Sequence, residues 1–174
     1  MKNNFDEIEL KLIRTLNDFL REAKSHGVAS IEPWNNKMWT RGLQEKICRL
    51  GLDEDYGVAP NIGIKAWLYD IVWYVEDSKN RLIKIPLIVE CEWNLRYDEI
   101  QYDFEKLLVG NAERRLMICQ CPRKGIEQLI SNLVTAIDLF QENHGDKFLI
   151  AVLDSDTEDE FIFRTFTKPP LVKK

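Results

Sequence analysis

Histidine is almost missing from this chain of 174 residues; there are two, His26 and His144. The four cysteines, Cys48, Cys91, Cys119 and Cys121, make no paired C-x-x-C set. A structural zinc site draws on both residue types at close spacing, so these shortages argue against one. Reduced, largely buried thiols are the expectation, since cytosolic disulfides are rare. No apolar run is long enough to span a bilayer. The opening residues M-K-N-N-F-D-E lack the charged, then apolar, then small pattern of a secretory signal, and the cytoplasm is the expected compartment. Net positive charge is lacking as well. At −5 the surface as a whole does not grip nucleic acid, which leaves only a local basic face for that purpose. Repeats and low-complexity segments are absent. The acidic stretch 154–160 (D-S-D-T-E-D-E) lacks the glycine and the spaced final glutamate of an EF-hand loop, so it reads as a solvated hairpin turn.

What is present suits one domain, residues 1–174, with a real core: 45% of the residues are hydrophobic and 30% charged. Residues 5–23 repeat apolar side chains at helical period, with Gly27 as the expected stop. A second helix is expected over 37–50, stopped by Gly51. Between them, Trp34 sits in a loop, either stacking on a base or partly buried against the core. A short strand at 56–59 precedes a turn at 61–63. Residues 67–75 and 82–93 read as two strands joined by turn chemistry at 76–80. Pro86 cannot donate to a ladder, so a bulge or a switch of pairing is expected there. Helix 98–113, strand 116–119, helix 124–143 and strands 148–153 and 161–166 follow. The tail K-P-P-L-V-K-K is expected to be loosely held. This order is an α/β sandwich around a mixed sheet.

Three acids stand inside the two central apolar runs: Asp70 in the first, Glu90 and Glu92 in the second. Carboxylates in buried strands are costly unless something compensates them. Strand alternation puts Ile88, Glu90 and Glu92 on one face and Val89, Cys91 and Trp93 on the other. Counting outward from Asn80 places Asp70 across the hairpin from Glu90. Carboxylates gathered in this way share a proton or hold a cation, and an all-oxygen donor set suits Mg²⁺ or Mn²⁺. A structural polar patch bonded to Lys106, Arg96 or Lys84 is the plainer alternative. With a metal, hydrolysis of a phosphodiester is the natural reaction.

The order helix, three strands, helix, strand, with an aspartate in the second strand and E-x-E in the third, resembles the PD-(D/E)XK nuclease superfamily. The resemblance covers approximately residues 37–120. It implies a restriction-endonuclease-like α-β-β-β-α-β core, here with an extra N-terminal helix and a C-terminal helix plus hairpin. It also implies metal-dependent cleavage of DNA, with Asp70 and Glu90 as metal ligands. Glu45, on the helix before the sheet, matches the place of an additional acidic ligand in many members; a solvated helix face is its other reading. Glu92 stands where a lysine is usual, which leaves it as a base or a further ligand. Some members supply the lysine from the following helix. Lys106, on one face with Glu99 and Asp103, is the candidate here.

Arg96, Arg114, Arg115, Arg123 and Lys124, with Lys65, offer a basic rim for DNA phosphates; ordinary charged surface at element ends is the alternative. Two functions follow. One is a Mg²⁺-dependent (or Mn²⁺-dependent) endonuclease acting on DNA, a homodimer if it cuts both strands. The other is a catalytically silent nuclease-fold module for binding or assembly in a bacterial defence or regulatory system.

Overall fold

A computed structural model describes residues 4–29, 35–60, 67–141 and 145–169. Trp34, Lys65 and the turn at 61–63 lie outside these. Among the described residues the chain is mixed α/β, with four helices and a six-stranded mixed sheet. The order is α1 (Glu7–Ala29), α2 (Asn36–Asp53), β1 (Gly57–Ala59), β2 (Ile71–Glu76), β3 (Leu82–Glu92), α3 (Tyr97–Val109), β4 (Arg114–Cys121), a 3-10 turn (Arg123–Gly125), α4 (Ile126–Leu139), β5 (Lys147–Asp154) and β6 (Phe161–Thr167). The strands lie side by side in chain order. β1, β2 and β3 form an antiparallel meander; β3, β4 and β5 are parallel, with α3 and α4 as crossovers; β6 returns antiparallel. Parallel neighbours need such a crossover because a tight turn cannot reverse the chain twice.

Alternation along each strand divides the core between two sheet faces. Ile71, Trp73, Val89, Cys91, Leu116 and Ile118 pack under α1 and α2. Val72, Tyr74, Ile88, Met117, Cys119 and Ile150 pack under α3 and α4. Cys48, Cys91 and Cys119 are buried and all four cysteines are free thiols. No described helix is long and apolar enough to cross a membrane.

Capping residues anchor α1. Asp6 Oδ1 accepts the Glu9 N–H at 2.9 Å, and Glu9 Oε2 accepts the Asp6 N–H at 2.8 Å, a reciprocal capping box. Asp6 Oδ2 also meets Arg114 at 2.9 Å and Lys147 at 2.6 Å, which ties the helix to β4 and β5. Neither helix stops at its expected glycine. α1 runs past Gly27 to Ala29. α2 runs through Gly51, which is there for closeness: a Cβ would stand 2.6 Å from Trp73 Nε1 and 2.7 Å from Val58 Cγ1. Trp73 Nε1 donates to the Ile47 carbonyl at 3.2 Å in the same contact. Gly51→Ala must therefore push α2 off the sheet or move the indole. Its expected cost is about 1–3 kcal/mol, read by chemical denaturation.

The expected loose tail is held at its first residue. Lys168 is buried and donates to the carbonyls of Ile137 and Phe140, the unsatisfied acceptors at the end of α4.

Candidate functional site

β2 begins only at Ile71, so Asp70 is the residue just before it. The pairs Ile71↔Val89 and Val72↔Ile88 carry the register, and one step further puts Asp70 opposite Glu90. Two irregularities, between Trp73 and Val75 and between Val75 and Glu76, shift the pairing along the hairpin. The first lies across from Lys84 to Leu87, so β3 gains its extra residue in the stretch that holds Pro86, where no N–H is available for the ladder.

Asp70 closes the ladder that β2 has not yet entered. Its Oδ2 accepts the Cys91 N–H at 2.8 Å, and its own carbonyl accepts from Gln44 Nε2 of α2 at 3.1 Å. Burial raises the Asp70 pKa; the Cys91 N–H and the Lys106 charge oppose that, and Asp103 adds to it.

Glu90 is 2% exposed. It has the parity of Ile88, so it points to the α3 face. There Lys106 Nζ stands 2.7 Å from its Oε1 and 3.1 Å from Asp103 Oδ1, one helical turn back on α3. Glu90 Oε1 and the Lys106 ammonium thus form a buried ion pair, the contact that most opposes the effect of burial on the carboxyl. Burial pushes the Glu90 carboxyl up to about 7, with Asp70 adding to the rise and Lys106 opposing it. Burial alone would lower the Lys106 ammonium; Glu90 and Asp103 outweigh it, and the pKa rises. Glu92, half-buried on the same strand face, accepts the Asn94 N–H at 2.5 Å. Its carboxyl is raised by burial and by the neighbouring Asp103.

The structure thus gathers Asp70, Glu90, Glu92 and Lys106, and adds Asp103 and Gln44. The i,i+3 spacing placed Asp103 beside Lys106 but gave it no role. Glu45 does not join them. It is exposed and pairs with Arg41 at 3.3 Å. One residue turns a helix by about 100°, and that turn brings Gln44 rather than Glu45 to the strand.

The basic rim divides. Arg115 is 1% exposed and cannot touch a phosphate. Its guanidinium donates to the carbonyls of Leu107, Gly110 and Ala112, pairs with Asp146 at 2.8 Å and lies over the Phe148 ring. Arg114 pairs with Asp6 and stands beside Leu87, about 10 Å along the sheet from Glu90. Arg123 and Lys124 follow the carboxyl end of β4, the end at which Glu90 and Glu92 stand on β3, and Arg96 follows β3 itself. Arg123 is engaged by Asp154 and Glu160, Arg96 by Asp98.

The side chains gathered here are an all-oxygen set of carboxylates that outnumber the one ammonium, Lys106. The present spacing does not close around an ion, for among the described residues no three acidic, histidine or cysteine side chains stand close enough together to hold one. No family model, no curated protein and no solved structure matches the chain.

Proposed function

We propose that the chain is a divalent-metal-dependent nuclease that hydrolyses phosphodiester bonds of DNA, on a restriction-endonuclease-like core of the PD-(D/E)XK type. The observation that carries this reading is Asp70, just before antiparallel β2, set opposite Glu90 near the carboxyl end of β3, which is parallel to β4, with Lys106 from the crossover helix beside them. In open α/β sheets that end of the strands is where ligands bind. The meander, crossover and parallel fourth strand support the same family.

Mg²⁺ or Mn²⁺ held by Asp70 and Glu90 would supply Lewis acidity toward the phosphodiester. Hydrolysis forms one P–O bond to water and breaks another. Glu92, whose carboxyl is raised by burial and by Asp103, is the group to take the water proton. Lys106 offsets charge developing on the phosphate. Arg96 and Lys124 are the contacts for the flanking backbone.

Incubation of plasmid and labelled single-stranded DNA with Mg²⁺ or Mn²⁺ tests this. Wild type is expected to cleave. Asp70→Asn keeps an acceptor for the Cys91 N–H, so it leaves the fold in place, and is expected to lose at least about a thousandfold in rate. Full cleavage by Asp70→Asn would overturn the reading.

A silent binding or assembly module is the second reading. The donor spacing that does not close around an ion favours it. It predicts no cleavage by wild type with either metal.

A further inference from the structure

α2 concentrates positive charge beside the candidate site. It carries Lys37, Arg41, Lys46 and Arg49 against Glu45 and Asp53, in a chain whose net charge is −5. Lys46 turns to Glu22 of α1. The other three cations border a groove along the outer flank of the helix. One hollow of about 440 Å³ is lined by Arg41, Gln44, Cys48 and Arg49 and, across from the helix, by Pro60 after β1. A second, of about 250 Å³, continues it past Thr40 and Lys37 and shares Arg41 and Gln44 with the first. Two contacts bring this groove to the site. Gln44, common to both hollows, donates to the Asp70 carbonyl at 3.1 Å, and Thr40 Oγ1 accepts from the indole of Trp93, next to Glu92, at 2.9 Å.

The three cations are available to a ligand. Lys37 is exposed and has no ion-pair partner among the described residues. Arg41 and Arg49 meet acids of their own helix, Glu45 at 3.3 Å and Asp53 at 3.1 Å, and their side chains are 82% and 76% exposed. Exposed pairs of this kind contribute little, so a phosphate that accepts two guanidinium N–H groups displaces them. From Lys37 to Arg49 the helix rises about 18 Å, the length of roughly five nucleotides of one strand.

We propose that the groove along α2 is the track for one DNA strand, with Lys37, Arg41 and Arg49 as contacts to its phosphates and Gln44 as the point where the track meets Asp70. This rests on the reading of the site as one that acts on DNA. Cations strung along the helix match a row of phosphates rather than a single anion. Glu45, between Arg41 and Arg49, works against the ligand.

Binding of a short fluorescent DNA, single-stranded and duplex, in EDTA tests the track without cleavage. Arg41→Gln and Arg49→Gln place a good helix former at exposed positions, so the fold stays. Each is expected to bind about threefold to tenfold more weakly, on whichever form wild type holds, and to lower the slope of log K against log salt by about one. Glu45→Gln is expected to bind about threefold tighter, since it frees Arg41 and removes a repelling charge. Arg81→Gln, at the exposed turn between β2 and β3, is expected to bind like wild type. Arginine variants of α2 with wild-type affinity and slope would overturn the track. So would a Glu45→Gln that binds more weakly, or an Arg81→Gln that loses as much as they do. If wild type cleaves DNA while these variants bind unchanged, the nuclease reading stands and the track falls. Salt-dependent binding through α2 by a chain that cleaves nothing supports the track and sinks the nuclease. A chain that binds no DNA overturns both.

Discussion

Glu90→Gln is expected to make the metal-free protein more stable at mildly alkaline pH, by about 2–3 kcal/mol, while abolishing cleavage. In the unfolded chain the Glu90 carboxyl loses its proton near its ordinary value of 4.5; in the folded chain it keeps it to about 7. Between those limits the folded state binds the extra proton. Stability from this group is therefore complete below about 4.5, falls as the pH rises, and is gone above about 7. Burial is the main cause, since the Lys106 ammonium offsets only part of what the carboxylate loses in leaving water. Glutamine carries no charge to desolvate. Denaturant titrations of wild type and Glu90→Gln across this range should diverge as the pH rises and meet at its acid end. A wild type whose stability does not fall through neutrality, or a variant no more stable than it under alkaline conditions, would contradict the buried, undercompensated carboxylate.

Arg115→Ala is expected to cost about 3–5 kcal/mol, because it strands the carbonyls of Leu107, Gly110 and Ala112 and the Asp146 carboxylate. The guanidinium holds the end of α3 and the turn after it against β4. Loss of that hold should loosen the helix that carries Lys106 and Asp103. Thermal melting reads the effect directly. If Arg115→Ala melts like wild type and only binds DNA more weakly, the residue is a phosphate contact after all.

Arg115 also illustrates what the sequence hid. Reading β4 as residues 116–119 leaves Arg115 outside the strand, where a basic residue looks like rim. The strand in fact starts at Arg114, and alternation then puts Arg115 on the face of Met117 and Cys119, under α3. The signal was there, masked by a boundary two residues late. The same limit applies to Gly27 and Gly51: a glycine that ends a helix and one that lets a helix approach a tryptophan are alike in one dimension. The order of elements was legible throughout, since apolar periods of 3.6 and 2 reflect which face each element buries. The face of Glu90 and Glu92 followed from alternation alone. The register of Asp70 against Glu90 was less secure. The count from Asn80 meets it only because the pairing shifts twice between Trp73 and Glu76, once across from the stretch that holds Pro86. Gln44 was out of reach because periodicity does not resolve one residue of helix rotation, and that single step separates it from Glu45.

The claim beneath all of this is that the Asp70–Glu90 cluster awaits a divalent cation. The melting temperature of wild type and Glu90→Gln with and without Mn²⁺, at mildly alkaline pH, tests it most directly. Saturating Mn²⁺ is expected to stabilise wild type by about 3 kcal/mol, a rise of several degrees, and to leave Glu90→Gln unmoved. A wild type that melts at the same temperature with and without the metal would contradict the account.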